Sequence, residues 1–145
     1  MTADRNSDEV IDRILKSARV FAVVGASNKP ERASYGVMLA LIAKGYVVHP
    51  VNPGLAGQLV LGRTVYATLA DVPAPVDVVD IFRQPKDALG VVREAIALKD
   101  ALGISVVWMQ LGIVNAQAAD EAEAAGLTSV MDRCPKIEFA RGAGR

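Results

Sequence analysis

A single cysteine, Cys134, stands among the 145 residues, which excludes an internal disulfide and a metal site built from cysteines. Histidine is as scarce: His49 is the one imidazole, and no His/Asp/Glu cluster at metal-ligand spacing accompanies it. Neither sign of charge is in excess, because 16 Lys and Arg balance 16 Asp and Glu without a run of like charge. The field that draws a chain to nucleic acid or to an anionic membrane is therefore missing, although a local basic spot remains able to hold phosphates. Long hydrophobic runs are absent too: the longest, 37–43, falls far short of the ~20 residues that cross a bilayer. The start, 1–12, is polar and acidic, the opposite of a signal or transit peptide. There is no Gly-x-Ser-x-Gly elbow and no Walker A lysine motif. These absences lead to the expectation of a soluble cytoplasmic protein with neither nucleic-acid nor membrane partners.

What is present is a dense apolar pattern. Hydrophobic residues make up 52% of a chain whose length suits one domain, 1–145, with flexible ends at 1–6 and 141–145. Helix and strand signals alternate throughout. Ser7 reads as an N-cap ahead of Asp8 and Glu9, with Ile11, Ile14, Leu15 and Ala18 on one helical face. Short apolar runs at 20–24, 46–51, 76–82, 104–109 and 127–131 read as strands. Between them, 35–44 is a helix closed by Gly45, Pro85 opens a second at its first position, and Asn115 caps an alanine-rich third ended by Gly126. Pro135 opens a last short helix, and 60–65 carries a small hairpin. Five strands joined by helices predict a Rossmann-like, doubly wound parallel sheet of order 3-2-1-4-5 in three layers. Ligands of such sheets sit beyond the carboxyl ends of the strands, where the order reverses.

The loops at those ends carry the chemistry. After the first strand comes Gly25-Ala26-Ser27-Asn28-Lys29-Pro30-Glu31-Arg32-Ala33-Ser34-Tyr35-Gly36. A turn leading into a helix offers N–H groups and a positive dipole end to a phosphate. Ser27 and Asn28 add hydrogen bonds, and Lys29 and Arg32 add charge. A dinucleotide fingerprint would need further glycines after Gly25 and an acid after the second strand, where Val51-Asn52-Pro53 stands instead. NAD as a redox cofactor is disfavoured on that ground. The Val-Asn-Pro turn is either a plain terminator or an apolar wall for an adenine ring. Phe82 and Arg83 follow the third strand, one to face the adenine or join the core, the other to grip a phosphate or face solvent. Beyond the fourth strand, Trp108-Met109-Gln110-Leu111-Gly112 places Trp108 and Gln110 on one face, and the Gln110 amide suits an amide-rich chain. Asp77 and Asp80 flank apolar strand residues and would orient loops. Cys134 stands before Pro135 next to Arg133, where a thiol is activated, yet no histidine is placed to serve it; exchange with a bound thiol is the milder role.

Six blocks taken together resemble the CoA-binding protein family, the YccU-like proteins, over about 14–140. They are Val23-Val24-Gly25-Ala26-Ser27, Lys29-Pro30-Glu31-Arg32, Val51-Asn52-Pro53, Asp77-Val78-Val79-Asp80-Ile81-Phe82-Arg83, Trp108-Met109-Gln110-Leu111-Gly112 and Met131-Asp132-Arg133-Cys134. The pattern is also similar to the N-terminal CoA-binding domain of the succinyl-CoA synthetase α subunit, matched at 27–30, 51–54, 109–111 and Cys134-Pro135. That resemblance implies coenzyme A, or an acyl-CoA, as ligand. It places adenine near Val51, Pro53 and Phe82, phosphates near Ser27, Asn28, Lys29 and Arg32, and pantetheine past Gln110 and Gly112. Gly25, Ala26, Asn52, Arg83 and Met109 complete the expected site. The chain ends before a domain like the one that carries the synthetase's phosphorylated histidine, and Gln110 stands where the synthetase has an acid. The reading is thus a CoA-binding protein without catalysis of its own. The alternatives are an NAD(P)-dependent or acyl-CoA-transforming enzyme, or a CoA-sensing regulatory subunit; a protein partner or a homo-oligomer stays open.

Overall fold

The computed structural model describes residues 5–144. Its strands are β1 (Val20–Val24), β2 (Val47–Val51), β3 (Leu59–Val60), β4 (Arg63–Thr64), β5 (Val78–Ile81), β6 (Val106–Met109) and β7 (Thr128–Val130). Its helices are α1 (Asp8–Ser17), α2 (Ala33–Ala43), α3 (Pro85–Leu102), α4 (Ala116–Ala124) and α5 (Pro135–Ala140). The starts follow local chemistry. The Ser7 side chain accepts the Val10 N–H, the Asn115 side chain accepts the Ala118 N–H, and prolines open α3 and α5. Each satisfies or omits a donor that the first helical turn leaves without a partner.

Five parallel strands form one sheet in the order β2-β1-β5-β6-β7, while β3 and β4 make the separate small hairpin. Alternation divides the sheet into two faces. Ala22, Val79, Val107 and Met109 pack with α3 and α4, whereas Phe21, Val23, Val78 and Trp108 pack with α1, α2 and α5. The result is the expected three-layer, doubly wound, Rossmann-like architecture.

One strand takes a different place from the one assigned to it. With Tyr66, bridged in parallel to Val51 on the outer side of β2, counted as the third element, the order follows the expected 3-2-1-4-5 pattern and β7 continues it as a sixth. The segment expected at 76–82 forms β5 on the other side of β1, paired with it from Phe21–Val78 to Val24–Ile81. The reason is burial. All four residues of β5 are buried, as suits a central strand covered on both faces, whereas β2 leaves Val47 exposed at the rim. The connection to β5 packs Leu69 and Val72 into the α3–α4 side of the core. The chain leaves β1 toward α2 on one face and β5 toward α3 on the other, so the crevice opens between the ends of β1 and β5.

The expectation of flexible ends falls partly on 1–4 and 145, which lie outside the described residues. Of the remainder, Arg5 pairs with Asp120 and Glu123, the Asn6 amide bonds both backbone groups of Met131, and the Gly144 N–H bonds Asp12. No helix among the described residues is long and apolar enough to cross a membrane.

Candidate functional site

At the carboxyl end of β1 the chain turns sharply at Gly25, whose φ is +92°. A Cβ there would stand 2.8 Å from the Phe82 carbonyl oxygen, so the β1 and β5 ends approach as only a glycine allows. The Gly25 and Ala26 N–H groups both donate to the Val51 carbonyl, and Asn52 Nδ2 donates to the Ala26 carbonyl at 2.8 Å. The same Asn52 accepts the Gly54 N–H through Oδ1, so one side chain ties the β2 turn to the β1 loop. The Lys29 N–H bonds Ser27 Oγ at 3.1 Å and folds the loop back toward α2.

The start of α2 is open. Arg32 occupies the cap position in extended geometry and gives no side-chain cap; its carbonyl accepts the Tyr35 N–H, and the Ala33 and Ser34 N–H groups and the dipole end remain available. Lys29 and Arg32 are exposed beside it, and none of the ion pairs among the described residues uses them or Arg83. A depression of about 340 Å³ brings together Gly25, Ala26, Ser27, Lys29, Arg32, Asn52 and Phe82 with Ala33 and Ser34. Polar donors and two free cations around a helix start are the chemistry of an anion site.

A second depression, of about 560 Å³, lies between α2, α5 and the loop after β6. Arg32 and Ala33 line both, so the two adjoin at the start of α2. Gln110 borders it with its side chain 4% exposed, and Gln110 Oε1 has no hydrogen-bond partner. Cys134 lines the same space and is buried. The loop that carries Gln110 is held by Asp132, at φ +58°, whose Oδ1 accepts the Gly112 N–H at 2.7 Å; Trp108 Nε1 donates to the Arg133 carbonyl.

Not every expected residue reaches these depressions. The Val51 and Met109 side chains are buried on the α3–α4 side of the sheet, because their strand parity turns them away from α2. Val51 serves the loop through its carbonyl instead. Gly112 is held outside by its bond to Asp132, and Asn28, Pro53 and Arg83 line neither depression. His49 lies on β2 against Tyr66, where burial holds its pKa below the usual value. Ala33, Ser34 and Gly36 belong to the 25–36 stretch but were not singled out as site residues, and Ile137 was not expected. Ser34 had a signal, a buried polar residue opening an otherwise apolar helix; Ile137 had none, since α5 meets α2 through the fold alone.

Asp80 is the other unexpected feature. Register places it between Val23 and Trp108 on the α2 side, fully buried, with neither carboxylate oxygen bonded. Desolvation pushes its pKa well above the ordinary carboxylate range. Asp77, three residues before it, does orient a neighbouring segment by accepting the Arg19 and Val20 N–H groups. No group of three or more metal-ligating side chains occurs among the described residues. A depression at the opposite end of the sheet, bordered by Arg5, Glu123 and Ser129, is tied up by bonds among those three side chains.

A doubly wound sheet with an open helix start and a two-part crevice at its switch point defines a Rossmann-like ligand-binding domain. The chain belongs to the CoA binding domain family, whose pattern matches residues 19–140. The uncharacterized protein YneT of Bacillus subtilis (strain 168) is 35% identical over 130 residues, spanning 90% of this chain and 92% of YneT. Among solved structures, a hypothetical protein from Pyrococcus horikoshii OT3 is 40% identical with a TM-score of 0.85, covering 96% of this chain and 94% of its own. The Candidatus Korarchaeum cryptofilum dinucleotide-forming acetyl-coenzyme A synthetase 1, in complex with phosphate and ADP, is 25% identical with a TM-score of 0.67. It is covered over 84% of this chain but 27% of the synthetase.

Proposed function

We propose that the protein binds coenzyme A, as the thiol or as a thioester, in the cytoplasm and without a bond-making step of its own. The ligand's phosphates meet the first turn of α2 with Lys29, Arg32, Ser27 and Ser34. Its adenine lies toward Phe82 and Asn52, and its pantetheine arm passes Gln110. The observation that carries this reading is the uncapped start of α2, flanked by two cations without partners and opening into a longer depression. A buried acceptor on Gln110 fits a ligand that brings amide N–H groups, since an unmatched buried acceptor is costly. Family membership supports the same ligand.

Purified protein should gain thermal stability with coenzyme A by mass action, about 2.7 kcal/mol at a hundred times Kd. Mass spectrometry of the small molecule released on denaturation should find coenzyme A or a thioester. No shift with millimolar coenzyme A or acetyl-CoA, together with binding of NADP, would overturn the reading.

A further inference from the structure

We infer that the second depression is an acyl chamber, so that the protein binds apolar acyl-CoA thioesters more tightly than free coenzyme A. The inference rests on the coenzyme A reading and adds what the far end of the ligand must be. The space of about 560 Å³ adjoins the phosphate depression at Arg32 and Ala33, so an arm anchored in the first has the second as its neighbouring hollow. Its walls are mainly apolar, with Val37 from α2, Leu111 from the loop after β6, and Ile137 and Ala140 from α5, while Glu31, Arg32 and Lys136 also border it. Leu111 and Ile137 are 57% and 39% exposed, and both border this one concave space. Apolar side chains held open around a hollow gain from an apolar guest.

Gln110 fixes the register of that guest. Gln110 lines the chamber, and its Oε1, without a donor, is shut off from the open space, so the side-chain amide has to turn over to present it to a guest. A thioester carbonyl cannot supply one, but the pantetheine amide next to the sulfur can. With that N–H on Gln110, the sulfur and whatever it carries stand inside, beside Cys134. Gly36 adds no side chain to the lining, and Lys136 Nζ stands 3.5 Å from where its Cβ would be.

Calorimetric titration with coenzyme A, acetyl-CoA and butyryl-CoA tests this directly. A buried methylene is worth up to about fourfold in affinity, so butyryl-CoA should bind about fivefold to tenfold tighter than acetyl-CoA in this open chamber. Butyryl-CoA should also slow alkylation of Cys134 by N-ethylmaleimide more than acetyl-CoA does at equal saturation, both thioesters lacking a free thiol that would consume the reagent. Ile137→Asp and Ala140→Phe, at two exposed positions of α5, should remove the preference, read as the ratio of the two Kd values within each variant. Equal affinity for the thiol and both thioesters would overturn the inference while leaving the coenzyme A reading intact. Absence of binding by all three would overturn that reading itself.

Discussion

Two residues at the end of the central strands show how position decides chemistry. Gly25 was legible in the sequence as a turn after an apolar run, and the structure adds a second demand. Its φ of +92° and its 2.8 Å clearance from the Phe82 carbonyl both exclude a side chain. Gly25→Ala should cost about 2 kcal/mol or more, seen as a lower urea midpoint with an unchanged slope. Asp80 was legible as an acid in an apolar strand, but its isolation was not, because strand parity alone does not reveal which neighbours cover it. Its folded pKa is raised by burial. Above the ordinary value of 3.8 the unfolded chain is ionised while the folded carboxyl keeps its proton, so folding takes up a proton. Stability is therefore lost as pH rises from there through the raised folded value, at roughly 1.4 kcal/mol per pH unit. Asp80→Asn lacks that slope. Unfolding free energies across a pH series should diverge in favour of the variant as pH rises; a constant difference would mean that Asp80 is ionised in the fold.

Helix starts and the place of a strand in the sheet differ in how far their causes reach. Ser7, Asn115 and Pro85 act within one turn, so α1, α4 and α3 could be located from the residues themselves. The place of β5 depends on what covers it from both sides, and that depends on the whole connection through Tyr66 and Leu69. For the same reason Val51 and Met109, sound as loop neighbours, turn their side chains into the other layer. The site loops themselves were legible, because a phosphate cradle needs donors and cations close in sequence. Helix α2 is the element where stability and binding compete. Its cap position holds Arg32, to which the proposed function gives a ligand's phosphate and which provides no side-chain cap for the helix start. Arg32→Ser restores a cap in backbone geometry already suited to one, φ −79° and ψ 145°. The variant should gain about 1 kcal/mol without ligand, a rise in Tm of about 3 °C, and lose most of the thermal gain with coenzyme A. A variant that melts no higher, or that responds to coenzyme A as fully as the parent, would show that α2 is already satisfied or that Arg32 stands apart from the ligand.

Across the whole molecule, 16 cationic and 16 anionic side chains cancel, so no overall field draws in a polyanionic ligand. Attraction must come from local groups, and Lys29 and Arg32 stand exposed at the phosphate depression. The acyl chamber contributes through a different force, the removal of Leu111 and Ile137 from water. The two parts of one crevice therefore respond in opposite ways to ionic strength. The Debye length shrinks from about 8 Å at physiological salt to about 3 Å at 1 M, which screens exposed cations from phosphates, whereas apolar burial carries no charge to screen. Titrations at those two salt concentrations should show coenzyme A losing affinity severalfold, while the ratio between butyryl-CoA and coenzyme A stays constant. A salt-independent affinity for coenzyme A would move the phosphates away from Lys29 and Arg32. A ratio that collapses with salt would make the preference for the thioester electrostatic, and the chamber would then have to act through Lys136 at its rim rather than through its apolar walls.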